Sequence, residues 1–125
     1  MKIIRTQSGP RMSQAVCFNQ TIYLAGQVAN NINLGAFEQT NEALENIDKL
    51  LALHSSHRGL LLSAQIYLKS MEDFDQMNRA WEQWISMYPG ATPARATIEA
   101  KMASEEYLVE IVVVAAADMQ LNKIK

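Results

Sequence analysis

The sequence predicts an α+β domain: one mixed six-stranded sheet carrying two helices on one face, in the order β-β-β-α-β-α-β-β. Three observations predict it. Six short apolar segments carry strand patterns bounded by turn residues. Two longer segments place apolar residues at helical spacing, and they separate the third strand from the fourth and the fourth from the fifth. Both helices are then crossovers within one sheet, and right-handed crossovers put them on the same side. The chain has 125 residues, 49% hydrophobic and 19% charged, which suits a single domain over 1–125.

The first three strands are expected at Lys2 to Thr6, Ala15 to Phe18 and Thr21 to Val28, with Asn19-Gln20 closing a tight hairpin between the second and third. The first helix carries Phe37, Leu44, Ile47 and Leu51 on one stripe. A strand over Leu60 to Leu68 follows. The second helix carries Phe74, Met77, Trp81, Trp84 or Ile85, and Tyr88. It opens at Ser70-Met71-Glu72-Asp73, a capping-box pattern in which the serine hydroxyl satisfies a free amide and the acid reaches back, and it stops before the turn signal Pro89-Gly90.

The last two strands span Arg95 to Met102 and Val109 to Ala116. Arg95, Thr97, Glu99 and Lys101 alternate with Ala96, Ile98, Ala100 and Met102, so this strand has one polar side, read here as its wet side. The run Val109 to Ala116 is apolar on both sides apart from Glu110, and Leu60 to Leu68 is nearly so. Two helices cover one face of a sheet only. The second face must be covered from outside the chain, and another copy of the chain is the simplest cover.

Composition excludes several function classes. Eleven Lys and Arg against thirteen Asp and Glu give a net charge of −2 with no basic run, which argues against a nucleic-acid partner. No apolar run approaches the ~18 residues of a membrane span, and Met1 to Gly9 lacks the apolar core of a secretory signal, so a soluble cytoplasmic protein without a membrane partner is expected. Cys17 is the single cysteine, which excludes an internal disulfide and a cysteine-based zinc site within one chain. It lies in an apolar strand with nothing nearby to lower its pKa. His54 and His57 lack an evident third ligand and fit a solvated helix end better than a metal site. Trp81 and Trp84 fall on the helix stripe as packing residues.

Two residues stand out chemically. A guanidinium at Arg95, at the start of a strand, is able to grip a carboxylate through two parallel hydrogen bonds; its position alone fits a surface arginine or a structural ion pair more readily. Glu110 is the lone ionisable group in its apolar run, fitting either a general acid or base or a partner in an ion pair across an interface. The short link Ala103 to Tyr107 makes the last two strands antiparallel, placing Arg95 and Glu110 on the order of 15 Å apart at ~3.3 Å per residue. A site using both would be built across a subunit boundary. Gly26 is either a bulge or a place where a backbone amide meets a ligand, and Asn78, at the edge of the helical stripe, either reaches a site or bonds locally.

The segment Thr92-Pro93-Ala94-Arg95-Ala96-Thr97-Ile98-Glu99-Ala100, followed by Val109-Glu110-Ile111, together with Tyr23-Leu24-Ala25-Gly26-Gln27-Val28 and Met77-Asn78-Arg79-Ala80-Trp81, resembles the RidA/YjgF family of enamine and imine deaminases over essentially the whole chain. The resemblance implies a chorismate-mutase-like fold, a homotrimer and active sites in the clefts between subunits. It implies a 2-iminobutanoate/2-iminopropanoate deaminase-like hydrolase that converts 2-aminoacrylate-like enamines, through their imines, to 2-keto acids and ammonia with no metal or organic cofactor. Arg95 would hold the substrate carboxylate and Glu110 would position the attacking water. Gly26 and the backbone at Thr97 would line the pocket, with Asn78 nearby. The chain departs from the best-known members in Gly9-Pro10-Arg11-Met12-Ser13, where they carry an aromatic residue after Gly-Pro, in Thr97, where they carry cysteine, and in Ser104, where proline is frequent. A trimeric, non-catalytic binding protein for small carboxylates such as keto acids is the alternative. The ribonuclease activity of some relatives fits poorly with the net charge.

Overall fold

Asn19 and Gln20 both adopt the left-handed backbone conformation (φ 55° and 65°), the geometry a two-residue hairpin needs to follow the twist of its strands. They join β2 (Ser13–Phe18) to β3 (Thr21–Leu24), with Phe18 opposite Thr21. β1 (Ile4–Ser8) adds antiparallel to β2. The chain is described here by a computed structural model covering residues 2–118. From β3 it passes through α1 (Ala36–Ala52) to β4 (Leu61–Leu68), through α2 (Phe74–Ile85) to β5 (Ala94–Glu99), and finally to β6 (Val109–Ala116). The strand order is β1-β2-β3-β6-β4-β5, with β4 and β5 parallel and the other pairs antiparallel.

Both crossovers advance in the same direction across the sheet, so α1 and α2 pack side by side on one face, as the order of elements requires. The core lies between them and the sheet. Leu44, Ile47 and Leu51 of α1 and Met77, Trp81 and Ile85 of α2 bury against Ile22, Ala64, Ile66, Leu68, Ile111 and Val113. Tyr88 lies beyond the end of α2, where its ring stacks on His57 at 4.7 Å. Pro89-Gly90 turns the chain toward β5, with Gly90 at φ 82°.

Several expected strand limits move. The third strand stops at Leu24 instead of running to Val28, because Gln27 pairs with Ile111 while Tyr23 pairs with Val114, leaving one extra residue on this side of the ladder. The fifth ends at Glu99, the first shifts to Ile4–Ser8, and the fourth begins one residue later at Leu61. Ser70 caps a short 3-10 turn, Met71–Asp73, ahead of α2 by accepting from the Glu72 amide. The acid that returns to this turn is Glu99 of β5, which accepts from the Met71 amide at 2.9 Å.

The polar side of β5 is not its solvent side. Arg95, Thr97 and Glu99 pair in register with Ala64, Ile66 and Leu68, whose side chains face the helices. Ala96 and Ile98 therefore lie on the open face, where Ile98 is 41% exposed. The cause is that β5 is an edge strand beside α2: Arg95 reaches Asn78 of that helix, and Glu99 reaches the Met71 amide in the turn ahead of it. The open face also carries Val16, Tyr23, Val112 and Val114; Tyr23 is 50% exposed.

Two polar clusters tie the layers together. Asp48 of α1 accepts from Arg58 (2.7 Å) and from the Trp84 indole of α2 (3.0 Å), while Arg58 also donates to the Trp84 carbonyl and lies over its ring. Gln39, fully buried on α1, donates to the carbonyls of Leu34 and Glu106 (3.1 Å each) and accepts from the Leu108 amide (3.0 Å). It thus satisfies the loop before its own helix and the loop that leads into β6. Gln39→Leu keeps the volume but strands these backbone groups, and an unfolding titration is expected to show a loss of about 2–4 kcal/mol.

Candidate functional site

Arg95 enters from β5 and points under α2. Its guanidinium donates to Asn78 Oδ1 at 2.8 Å and lies 5.6 Å from the Trp81 ring and 5.9 Å from the Phe74 ring. Asn78 stands on the first half of α2, where its side chain looks down onto β5, and its amide nitrogen donates in turn to Glu82 Oε1 at 3.2 Å. The ion pair formed between described residues is Arg58 with Asp48; none reaches Arg95. Burial pulls the Arg95 pKa down and the nearby Glu82 charge pulls it back up. This is a partly buried cation held by a neutral amide and two aromatic faces, with its charge left for an anion to meet.

Thr97 stands two residues along β5 on the same side. Its Oγ1 is buried and, among the described residues, has no hydrogen-bond partner. Such a hydroxyl carries a desolvation cost that a ligand or water would relieve. Arg95, Asn78 and Thr97 thus form one group beneath α2. Beside it a cleft of about 430 Å³ opens between the C-terminal half of α2 and the turn into β5.

Glu110 and Gly26 form a second group, on the opposite face of the sheet. Glu110 pairs with Tyr67 on β4 and alternates with the buried Val109 and Ile111, which places it on the open face, half-buried. Its carboxylate lies directly against Gly26, where a Cβ would overlap it. The glycine sits at the irregular segment after β3, as the bulge reading expects, and its bare backbone makes room for the Glu110 carboxylate, a role the sequence did not suggest.

One chain does not unite the two groups. Arg95 and Glu110 lie two strands and three residues apart, roughly 14 Å in the plane of the sheet at ~4.8 Å per strand and ~3.3 Å per residue, and on opposite faces. Among the other candidates, His54 bonds to Thr6 Oγ1 at 2.9 Å, and His57 Nδ1 accepts from the Gly59 amide. Burial pushes the Cys17 thiol pKa up, away from nucleophilic character.

With the fold and both groups placed, comparison with known proteins is direct. The family model described as Endoribonuclease L-PSP matches residues 5–117. The chain belongs to the RidA/YjgF family. It is 43% identical over 116 residues to a RutC family protein of Haemophilus influenzae, covering 92% of this chain and 98% of that relative. It is 39% identical over 116 residues to the RutC family protein YoaB of Escherichia coli, covering 93% and 99%. A crystal structure of a YjgF family member from Neisseria meningitidis superposes with a TM-score of 0.89 at 41% identity, covering 94% of this chain and 97% of that one. Membership in the RidA/YjgF family accounts for the six-stranded sheet and paired helices.

Gly26→Ala tests the contact on the open face. Because the group it meets is the free end of a side chain, stability is expected to fall by no more than about 1 kcal/mol while the Glu110 carboxylate is displaced. A crystal structure of the variant with Glu110 unmoved would refute the contact.

Proposed function

We propose that the protein is an enamine/imine deaminase whose active site forms in the clefts of a homotrimer, Arg95 coming from one subunit and Glu110 with Gly26 from its neighbour. The observation that carries this reading is the Arg95 guanidinium: partly buried, fixed by Asn78, flanked by Trp81 and Phe74, and paired with no carboxylate among the described residues. An anion of the size of a carboxylate is the natural complement of such a group. The opposite placement of Glu110 supports a shared site, and the apolar residues Val16, Tyr23, Val112 and Val114 on the open face supply a surface for subunit contact.

In this reaction a 2-aminoacrylate-like enamine tautomerises to its imine, and Arg95 holds the carboxylate so that the imine carbon faces the neighbour's Glu110. Glu110 takes a proton from water as the water oxygen bonds to that carbon. That proton passes to nitrogen, giving a carbinolamine; the hydroxyl proton then follows it to nitrogen as the carbon–nitrogen bond breaks and the carbonyl forms, releasing ammonia and a 2-keto acid. Gly26 keeps the space above the carboxylate open, and Thr97 lies beside the bound carboxylate.

Non-catalytic binding of a small carboxylate is the second reading. The observation that favours it is that the Arg95 group is complete within one chain, whereas Glu110 joins it only through a neighbour. RNA cleavage, suggested by the family model's description, has less support: the net charge is −2, and Arg58 and Arg79 are engaged with Asp48 and with the Phe37 ring.

Hydrolysis of freshly generated 2-iminopropanoate and 2-iminobutanoate separates these readings. Arg95→Ala is expected to lower kcat/KM by roughly 100-fold or more while remaining folded. Glu110→Gln is expected to lower kcat by roughly 100-fold with KM little changed. Keto-acid binding that depends on Arg95, without ammonia release by the wild type, would establish the binding protein instead. Val112→Asp, placing a charge on the open face, is expected to yield a monomer in light scattering; an unchanged assembly would exclude that face as the interface.

A further inference from the structure

The cleft beside Arg95 has an unusual division of charge. Among the residues lining it, Arg95 is the sole cation and Glu82 the sole anion, while Trp81, Ile85, Tyr88 and Pro89 make its wall largely apolar. Glu82 is also joined to Arg95 through Asn78. An asparagine amide can present either its oxygen or its nitrogen to a neighbour. Because Glu82 Oε1 accepts from Asn78 Nδ2 (3.2 Å), the oxygen is the end left facing the guanidinium, at 2.8 Å. Asn78 and Glu82 are one helical turn apart on α2, which brings their side chains together.

We infer that Glu82 is a specificity-determining residue: it holds Asn78 against Arg95 and, by its own charge in the same cleft, makes the site take monocarboxylates with an apolar side chain and turn away dicarboxylates. The inference rests on Arg95 as the carboxylate anchor. A ligand anchored there extends its remaining atoms along the wall of Trp81, Ile85, Tyr88 and Pro89, where an aliphatic group removes apolar surface from water. A second carboxylate in that position meets Glu82 and finds no second cation in the lining.

Calorimetric titration with 4-methyl-2-oxopentanoate and 2-oxoglutarate tests this on the intact protein. The wild type is expected to prefer the monocarboxylate at least tenfold. Glu82→Gln keeps an oxygen for Asn78 and removes the charge, so the preference should shrink several-fold, the order expected for one exposed, solvent-screened unit charge. Glu82→Ala lacks the charge and the oxygen, and is expected to bind the monocarboxylate several-fold more weakly than Glu82→Gln. An unchanged preference in Glu82→Gln overturns the discrimination, and equal affinities of the two variants overturn the clamp. Arg95→Ala separates the levels: if it binds the monocarboxylate as the wild type does, the anchoring role of Arg95 falls and this inference with it. If it loses binding while Glu82→Gln keeps the wild-type preference, the inference about Glu82 alone falls.

Discussion

The sheet is continuous only because β6 lies between β3 and β4. The first three strands form a meander on one side, β4 and β5 form a parallel pair on the other, and among the described residues no backbone hydrogen bonds join the two halves except through β6. Its inward residues Val109, Ile111, Val113 and Ala115 are all fully buried, so the strand contributes much of the core as well as the ladder. Contacts of this kind join segments distant in sequence, and their loop-closure cost is met only when the core condenses as a unit. The same strand carries Glu110, so the element that completes the fold also positions one half of the proposed site. Gln39 reinforces this by binding the loop that delivers the chain into β6.

Elements with a strong local signal were legible in the sequence. The stripes of the two helices, the Asn19-Gln20 turn and the apolar run at Val109 are short-range patterns, and the structure bears them out except at the ends of α2, where a 3-10 turn precedes Phe74 and Tyr88 falls beyond Ile85. Strand ends were less so: the run Thr21 to Val28 reads as one strand because its composition stays apolar, while the irregularity that ends it arises from pairing with a distant segment. Alternation in Arg95 to Glu99 divides the side chains into two sets but does not say which set the helices cover. That depends on β5 being an edge strand beside α2, a property of the whole topology.

The site shows the same division. Arg95, Asn78, Gly26 and Glu110 were singled out from residue type, position and family resemblance. Their separation into two groups on opposite faces followed only from the register of β4 with both neighbours. Glu82 was missed, although an acid four residues after Asn78 on a helix is a visible pair. Gln39 was missed as well; a polar residue in line with Ala43 and Ile47 on the buried side of α1 was its signal. Both act on backbone or on another side chain, and neither type of partner is visible in a sequence.

The unpaired guanidinium of Arg95 has a thermodynamic side. A cation taken partly out of water and given a neutral amide, two aromatic faces and a carboxylate it does not touch leaves the unliganded protein less stable than a matched ion pair would. An anion bound there would remove the deficit, since a ligand that binds the folded chain alone shifts the folding equilibrium by mass action. If the proposed carboxylate site is right, resistance to unfolding is thereby coupled to the supply of ligand, and heat tolerance becomes a gauge of which small acids bind at Arg95.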